Sequence, residues 1–266
     1  MITTAAPRPG PGRAMIAIAD TIDVASRNLR SMLRMPQALV FALIQPVLFV
    51  LLFRYAFGGA IHVPGVPYVD YLIPGVFAQS VAFGALGTAV GLATDLHSGL
   101  LERFRTLPMS RSAVLAGRTL ADLARSLAVV AVMAGIGFAV GFRVHTSALA
   151  FLAGLGLVAL FGYALSWGCV SLGLRISDPE AAQAAGVPVM FLLVFASGAF
   201  VPVSTMPGWL QAVAAHQPLT ALVTAVRALV LGGPTAGHVL ASVIWSCALL
   251  AGFALLAIGQ YQRISR

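Results

Sequence analysis

Uncharged stretches long enough to cross a bilayer fill most of this chain, and nothing else in it restricts folding as severely. Residues 36–53, 71–94, 126–142, 144–174, 181–226 and 228–262 contain no Asp, Glu, Lys or Arg. A hydrocarbon core takes about 20 apolar residues per helix, so most of these runs can span it. Every backbone polar group inside that core must be bonded within the protein, which leaves helices or a closed barrel. A soluble domain carries about 25% charged residues, whereas this chain has 9% charged and 59% hydrophobic. The longest run, 181–226, holds Pro188, Pro202, Pro207 and Pro218 and is too broken for one helix.

The expected fold is all-α, an integral membrane protein with six transmembrane helices. Residues 1–13 are rich in Pro and Gly, lack an apolar signal-peptide core, and read as a disordered cytosolic tail. Within 14–35, Met15, Ile18, Ile22, Ala25, Leu29 and Met32 recur every three or four residues, with Asp20, Asp23, Arg27, Arg30 and Arg34 on the remaining surface. That pattern suits an amphipathic helix lying at the membrane interface. The transmembrane domain is expected over 36–260, with spans at about 37–57, 71–94, 120–142, 148–174, 182–200 and 237–259, and residues 261–266 form a second cytosolic tail. Gly84, Gly87 and Gly91 in the second span fall at near-helical spacing and permit close helix approach. After the fifth span, two short helices are expected at Trp209–Ala215 and Thr220–Leu231. Neither is long enough to cross alone. An extracellular re-entrant or interfacial hairpin suits them, with Trp209 anchored at headgroup depth.

All sixteen basic residues are Arg, and they give the chain a net charge of +8. They sit beside apolar spans and form no exposed basic domain, so membrane orientation accounts for them and no nucleic-acid partner is implied. With six spans and the N-terminus inside, thirteen arginines are cytosolic, and only Arg54, Arg143 and Arg227 lie outside. A seventh span at Thr220–Leu231 would move the C-terminal arginines outside, against the bias. Absence of Lys beside abundant Ala, Gly and Arg matches GC-rich bacterial coding. The expected location is therefore a bacterial cytoplasmic membrane, crossed several times, with both termini cytosolic.

The chemistry that is missing narrows the function. A phosphate-cradling loop G-x-x-x-x-G-K-[ST] needs a lysine, and this chain has none. ATP hydrolysis must belong to a separate chain. The acids (Asp20, Asp23, Asp70, Asp95, Glu102, Asp122, Asp178 and Glu180) lie at span edges or in loops, which argues against an intramembrane proton relay. Asp122, near the start of the third span, is the nearest candidate for one. The five histidines lack metal-ligand spacing. Cys169 and Cys247 lie in apolar runs and read as small buried hydrophobes, not as a disulfide framework. No catalytic residues are expected.

Asp95–Arg118 is the most polar segment. Within it Ser98–Arg105 can form about two helical turns, placing Leu100, Leu101 and Phe104 on one face between Glu102, Arg103 and Arg105, with Pro108 ending it. Such a helix either docks in a partner's groove or rests on lipid with its arginines setting orientation.

At these residues the chain resembles the permease subunit of ABC-2 type exporters, close to the daunorubicin-resistance branch. Three stretches carry the resemblance: LLERFRTLPMSR (Leu100–Arg111) followed by GRTLAD (Gly117–Asp122); LIPGVFAQS (Leu72–Ser80); and FVPVSTMPGWLQAVAAHQPLTALVTAVRALVLGGP (Phe200–Pro234). It implies six helices per subunit, a pathway built with a second permease copy or a related permease, and two ABC ATPase subunits on the cytosolic side. It implies no cofactor in this chain, ATP and magnesium being held by the ATPase. Ser98–Arg105 would be the coupling helix, with Leu100, Leu101, Glu102, Arg103, Phe104 and Arg105 seated on the ATPase. The extracellular re-entrant segment, carrying Pro202, Pro207, Trp209, Pro218 and Arg227, would gate exit.

The function implied is ATP-driven export of an amphipathic drug-like, polyketide or lipid-linked compound. The rivals are a stand-alone secondary transporter and a membrane scaffold protein. Gln45, Gln79 and Ser80, with Thr88, Ser166 and Ser171, are polar residues inside spans. They either line a substrate cavity or bond neighbouring helices and their own backbone carbonyls.

Overall fold

The computed structural model describes residues 36–59, 61, 63–98 and 111–264. The expected tail (1–13), the amphipathic helix (14–35) and the coupling residues Leu100–Arg105 lie outside them. Among the described residues all regular structure is helical. Helix α1 (Pro36–Leu51) widens into a π-turn at Leu52–Ala56, and α2 (Tyr68–His97) and α3 (Arg111–Val140) follow. Then come α4 (Ala148–Arg175), α5 (Pro179–Phe195), α6 (Gly208–His216), α7 (Pro218–Leu231) and α8 (Ala236–Ile264).

The boundaries have local causes. The Ser147 hydroxyl caps α4 by accepting the Ala150 N–H at 3.1 Å, and the Asp178 carboxylate caps α5 through Glu180 N–H at 2.9 Å, with Pro179 at the first helical position. Gly141 (φ 108°) ends α3, and Gly232 (φ 96°) ends α7, both in the left-handed region that glycine adopts without strain.

Among the described residues, four helices have the length and hydropathy to cross a membrane: Tyr68–His97, Gly117–Val140, Ala148–Arg175 and Ala236–Tyr261. The expected first span is helical over residues 36–56, as α1 and its π-turn, whereas the fifth is shorter than expected, at Pro179–Phe195. Helix α5 stops five residues before the expected end at residue 200. Its ladder is broken by Ser197, whose hydroxyl donates to the Val194 carbonyl and accepts the Ala199 N–H. Helix α3 begins at Arg111, well before the expected 120, so its charged first turns are helical too. The two short helices after α5 are present as α6 and α7, bent by 74° about Gln217.

Helix α2 is the hub: it packs on α4 most extensively and also on α3, α5 and α7, and it is buried along most of its length. Its N-terminal half, with Phe77 and Val81, shares a core with Phe142, Phe161 and Leu222. Its C-terminal end joins a second cluster of Leu92, Trp167, Val170, Leu174, Ala257 and Tyr261. The C-terminal ends of α2, α4 and α8 therefore meet at one end of the bundle. Outward faces are strongly apolar, with Leu149, Leu192 and Leu255 each more than 70% exposed. In water such surfaces would drive aggregation, whereas lipid solvates them.

Lipid tails are as apolar as leucine, so helix association in a bilayer depends on close contact and internal hydrogen bonds. Gly173 of α4 illustrates this. A Cβ built there would lie 2.6 Å from the Ala89 carbonyl oxygen of α2 and 3.2 Å from the Leu92 Cβ. Both obstacles are rigid. Gly173→Ala is expected to destabilise the bundle by about 1–3 kcal/mol, the usual cost of overpacking. Unfolding of the purified protein in mixed micelles would measure it.

Candidate functional site

Two polar constellations interrupt the apolar bundle. The first closes the end where α2 begins. The turn after α5 carries its carbonyls without a helical ladder, and side chains from two other helices take them up. Tyr68 Oη donates to the Phe200 carbonyl and Tyr71 Oη to the Gly198 carbonyl, each at 3.0 Å. Arg227 of α7 donates from all three guanidinium nitrogens: Nε to the Tyr71 carbonyl at 2.9 Å, Nη1 to Gly198 at 2.7 Å, and Nη2 to Ala199 at 2.6 Å. Its guanidinium also stacks on the Tyr71 ring, 3.3 Å from the centroid. The Gly198 N–H donates to Thr220 Oγ1 at 3.2 Å. Close approach is possible because Gly75 has no side chain; a Cβ there would lie 2.1 Å from the Ala199 oxygen. Three elements are thus tied at one turn.

The same end holds Asp70, 1% exposed in the first turn of α2. Its carboxylate accepts the Arg143 N–H at 2.8 Å and contacts His145 Nε2 at 2.8 Å, fastening the α3–α4 turn. Of the other residues expected at the gate, Pro202 precedes the 3₁₀ turn Val203–Thr205, Pro207 precedes α6, and Pro218 opens α7. Trp209 is 72% exposed on α6 and makes no part of the Arg227 network. Arg227 therefore stands apart from the other four as a tie between helices.

The second constellation is a cavity of about 170 Å³ between α1, α2 and α3. Gln45, Gln79 and Ser80 all line it, beside Phe83, Arg125 and Ser126. Ser80 also donates to the Val76 carbonyl of its own helix at 2.8 Å. Gln79 is 1% exposed, and neither its amide nitrogen nor its amide oxygen has a partner among the described residues. A buried amide left unpaired costs roughly 1–3 kcal/mol per group. Ser166 and Ser171 take the other course and bond their own helix at Gly162 and Trp167.

A charged seam continues from this cavity to the opposite end of the bundle. Arg125 Nη2 donates to the Gly84 carbonyl at 2.7 Å, and Asp122 accepts from Thr88 Oγ1 at 2.7 Å. Arg118 pairs with Asp95. Gly84, Gly87 and Gly91 face this seam, and a Cβ at any of them would collide with Ser126, Arg125 or Arg118 in turn. The glycine stripe makes room for arginines as well as for a helix. Asp122 is thereby engaged with Thr88 and lies near Arg125, at 3.9 Å.

Sequence reasoning missed Arg125, Ser126 and Phe83 as cavity residues, and Tyr68, Tyr71 and Asp70 as members of the outer ties. The glycine stripe was the available signal for the first set, since small residues facing a charged helix start leave space for its long side chains. No comparable signal marked the carbonyls of Gly198 and Ala199. Among the described residues, no group of three His, Cys, Asp or Glu side chains is placed to hold a metal ion.

Comparison with known proteins bears on the whole chain. The ABC-2 type transporter family matches residues 22–231. The chain is similar to a daunorubicin resistance ABC transporter permease protein of Streptomyces coeruleorubidus, 33% identical over 252 residues, covering 95% of this chain and 89% of that one. It is also similar to a probable doxorubicin resistance ABC transporter permease protein of Mycobacterium tuberculosis, 28% identical and covering 95% and 91%. A putative transport permease of Porphyra purpurea is 25% identical, covering 73% and 68%. With four apolar helices of spanning length, a proline-broken pair beside them and likeness along nearly its full length, the chain belongs to the ABC-2 type transporter family.

Proposed function

We propose that this chain is the membrane permease subunit of an ATP-driven exporter in a bacterial cytoplasmic membrane, moving an amphipathic drug-like, polyketide or lipid-linked compound outward. The observation that carries this reading is the near full-length likeness to drug-resistance permeases. The absence of lysine, and with it of a P-loop, supports hydrolysis by a partner ATPase, which would hold the ATP and magnesium. Two such ATPases would work with this permease and a second copy or a related permease.

In this reading the chain passes six times. Helix α1 with its π-turn and the shorter α5 are the first and fifth spans, and α6 and α7 form the extracellular re-entrant pair, with Trp209 at headgroup depth and Arg227 latching it. The arginine asymmetry supports cytosolic termini, since Arg118, Arg175 and Arg263 belong to the helix ends that meet at one side while Arg143 and Arg227 stand at the other. Leu100–Arg105 is the contact with the ATPase.

Reconstitution tests the proposal. Inside-out vesicles holding this chain and its ATPase should accumulate a fluorescent amphipath only when ATP is supplied, and transported compounds should stimulate hydrolysis. Accumulation driven by a proton gradient alone, without the ATPase, would establish the secondary-transporter reading instead. Stable assembly with other membrane proteins and no transport would favour the scaffold.

A further inference from the structure

We propose that the cavity between α1, α2 and α3 is a binding site for the oxygen-rich, non-cationic head of an amphipath whose apolar body lies toward lipid; this rests on the permease reading and adds the substrate's chemistry to it. Three observations lead there.

The first is Gln79, whose amide offers both donors and an acceptor with no partner among the described residues, although the side chain is almost wholly buried. An amide edge of this kind is satisfied by a group that presents an acceptor beside a donor, such as a hydroxyl next to a carbonyl or an acidic oxygen. It lies eleven residues into α2, about 17 Å along the helix from Tyr68 at 1.5 Å per residue. That depth is within the hydrocarbon layer, where an unpaired polar group has no water to turn to.

Charge is the second. Among the described residues, Arg125 is the one ionisable residue in the wall of the cavity. Its Nη2 is committed to the Gly84 carbonyl, and Asp122 stands 3.9 Å from Nε. Asp122 itself accepts from Thr88 and is not part of the wall. A ligand therefore meets the guanidinium and not the acid. Acidic or carbonyl oxygens are attracted to it, and a cationic head is repelled in a region of low dielectric.

Size is the third. About 170 Å³ accommodates a head group, whereas whole drug-sized ligands occupy pockets of roughly 300–1,000 Å³. The rest of the molecule must extend past the rim. Leu48, one helical turn beyond Gln45 on α1, is 58% exposed. Phe191 of α5 is 40% exposed and packs edge-on against the cavity's Phe83 at 5.2 Å. Both surfaces are apolar and suited to a hydrocarbon or aromatic body.

A thiol-protection experiment decides the matter without the ATPase. The full-length chain, with Cys169 and Cys247 replaced by Ala and carrying Ser126→Cys in the cavity wall, is placed in phosphatidylcholine nanodiscs. Its modification rate by methyl methanethiosulfonate is then followed. Decyl phosphate at ten times its Kd is expected to slow the reaction about tenfold, as simple occupancy requires. Decyltrimethylammonium and inorganic phosphate are expected to leave the rate unchanged. Gln79→Leu and Gln79→Met, each read against its own unprotected rate, should weaken decyl phosphate protection by about tenfold in Kd. Equal protection by decyltrimethylammonium would overturn the choice of head group, and protection by inorganic phosphate alone would overturn the amphipath. Undiminished protection in both Gln79 variants would remove Gln79 from the site. A failure here leaves ATP-driven export standing, and failure of export with protection intact would overturn the permease reading while leaving the site.

Discussion

Arg227→Ala is expected to be the most damaging single substitution in the described part of the chain. The guanidinium donates to three carbonyls on two separate elements, Tyr71 on α2 and Gly198 and Ala199 in the turn after α5. Hydrogen bonds to a charged group are worth roughly 1.5–3 kcal/mol each. The side chain is largely buried, so water would recover only a part of that loss, and we expect about 3–5 kcal/mol in total. The Ala199 oxygen would suffer most, because Gly198 keeps its bond from Tyr71 Oη. Arg227→Lys should fall between wild type and Ala, since one ammonium cannot match a planar fork aimed at three acceptors. Tyr71→Phe, which deletes a single neutral bond, should cost only about 0.5–1.5 kcal/mol. Denaturant unfolding in mixed micelles gives the order directly. Wild-type stability in Arg227→Ala would mean that the turn is held by packing alone. If the proposed gate is real, the same variant should leak substrate or lose export while still binding its ATPase.

The second large effect is expected in the polar segment that follows α2 in the sequence. Energy must enter through a surface contact if this chain hydrolyses no ATP. Outside residues 14–35, Ser98–Arg105 is the one segment of helix length on the side proposed to be cytosolic whose sequence pattern offers an apolar face. Burying a Leu or Phe side chain contributes roughly 1.5–3 kcal/mol, so Leu101 and Phe104 together could anchor a partner by about 3–6 kcal/mol. Exposed ion pairs from Arg103 or Arg105 would add about 0–1 kcal/mol each. Leu101→Asp combined with Phe104→Asp should therefore abolish co-purification of the ATPase, or its stimulation by substrate, whereas Arg105→Ala should be mild. A helix merely resting on lipid predicts the reverse order, because charge would then set its position. Full assembly and full export by the double variant would eliminate the coupling role.

The two effects differ in kind. Loss of Arg227 removes bonds within one subunit and should show in unfolding of the permease alone. Loss of Leu101 and Phe104 should leave that unfolding unchanged and appear only with the ATPase present. Measuring both quantities on both variants separates a latch from a docking face.

Membrane class, the long helices and the broken segment after α5 were all legible in the residues. A bilayer forces each spanning backbone to bond within its own helix, so hydropathy, proline and glycine suffice to place the elements. Motif order identified the family for the same linear reason. The length of α5 was overestimated, because a hydroxyl at Ser197 and its local bonds, not hydropathy, end it. What only the tertiary structure decided was where polar groups find partners. Gln79, Ser166 and Ser171 look alike in sequence, as polar residues in apolar runs. Yet the two serines bond their own helix, while Gln79 is turned with Gln45 and Arg125 into a shared cavity. Arg227 is an isolated charge in sequence, and its acceptors lie 28 and 29 residues away at the turn after α5 and 156 away on α2. Those pairings depend on how each helix is rotated and how closely Gly75 and Gly173 let neighbours approach, which are properties of packing between helices and not of any one segment.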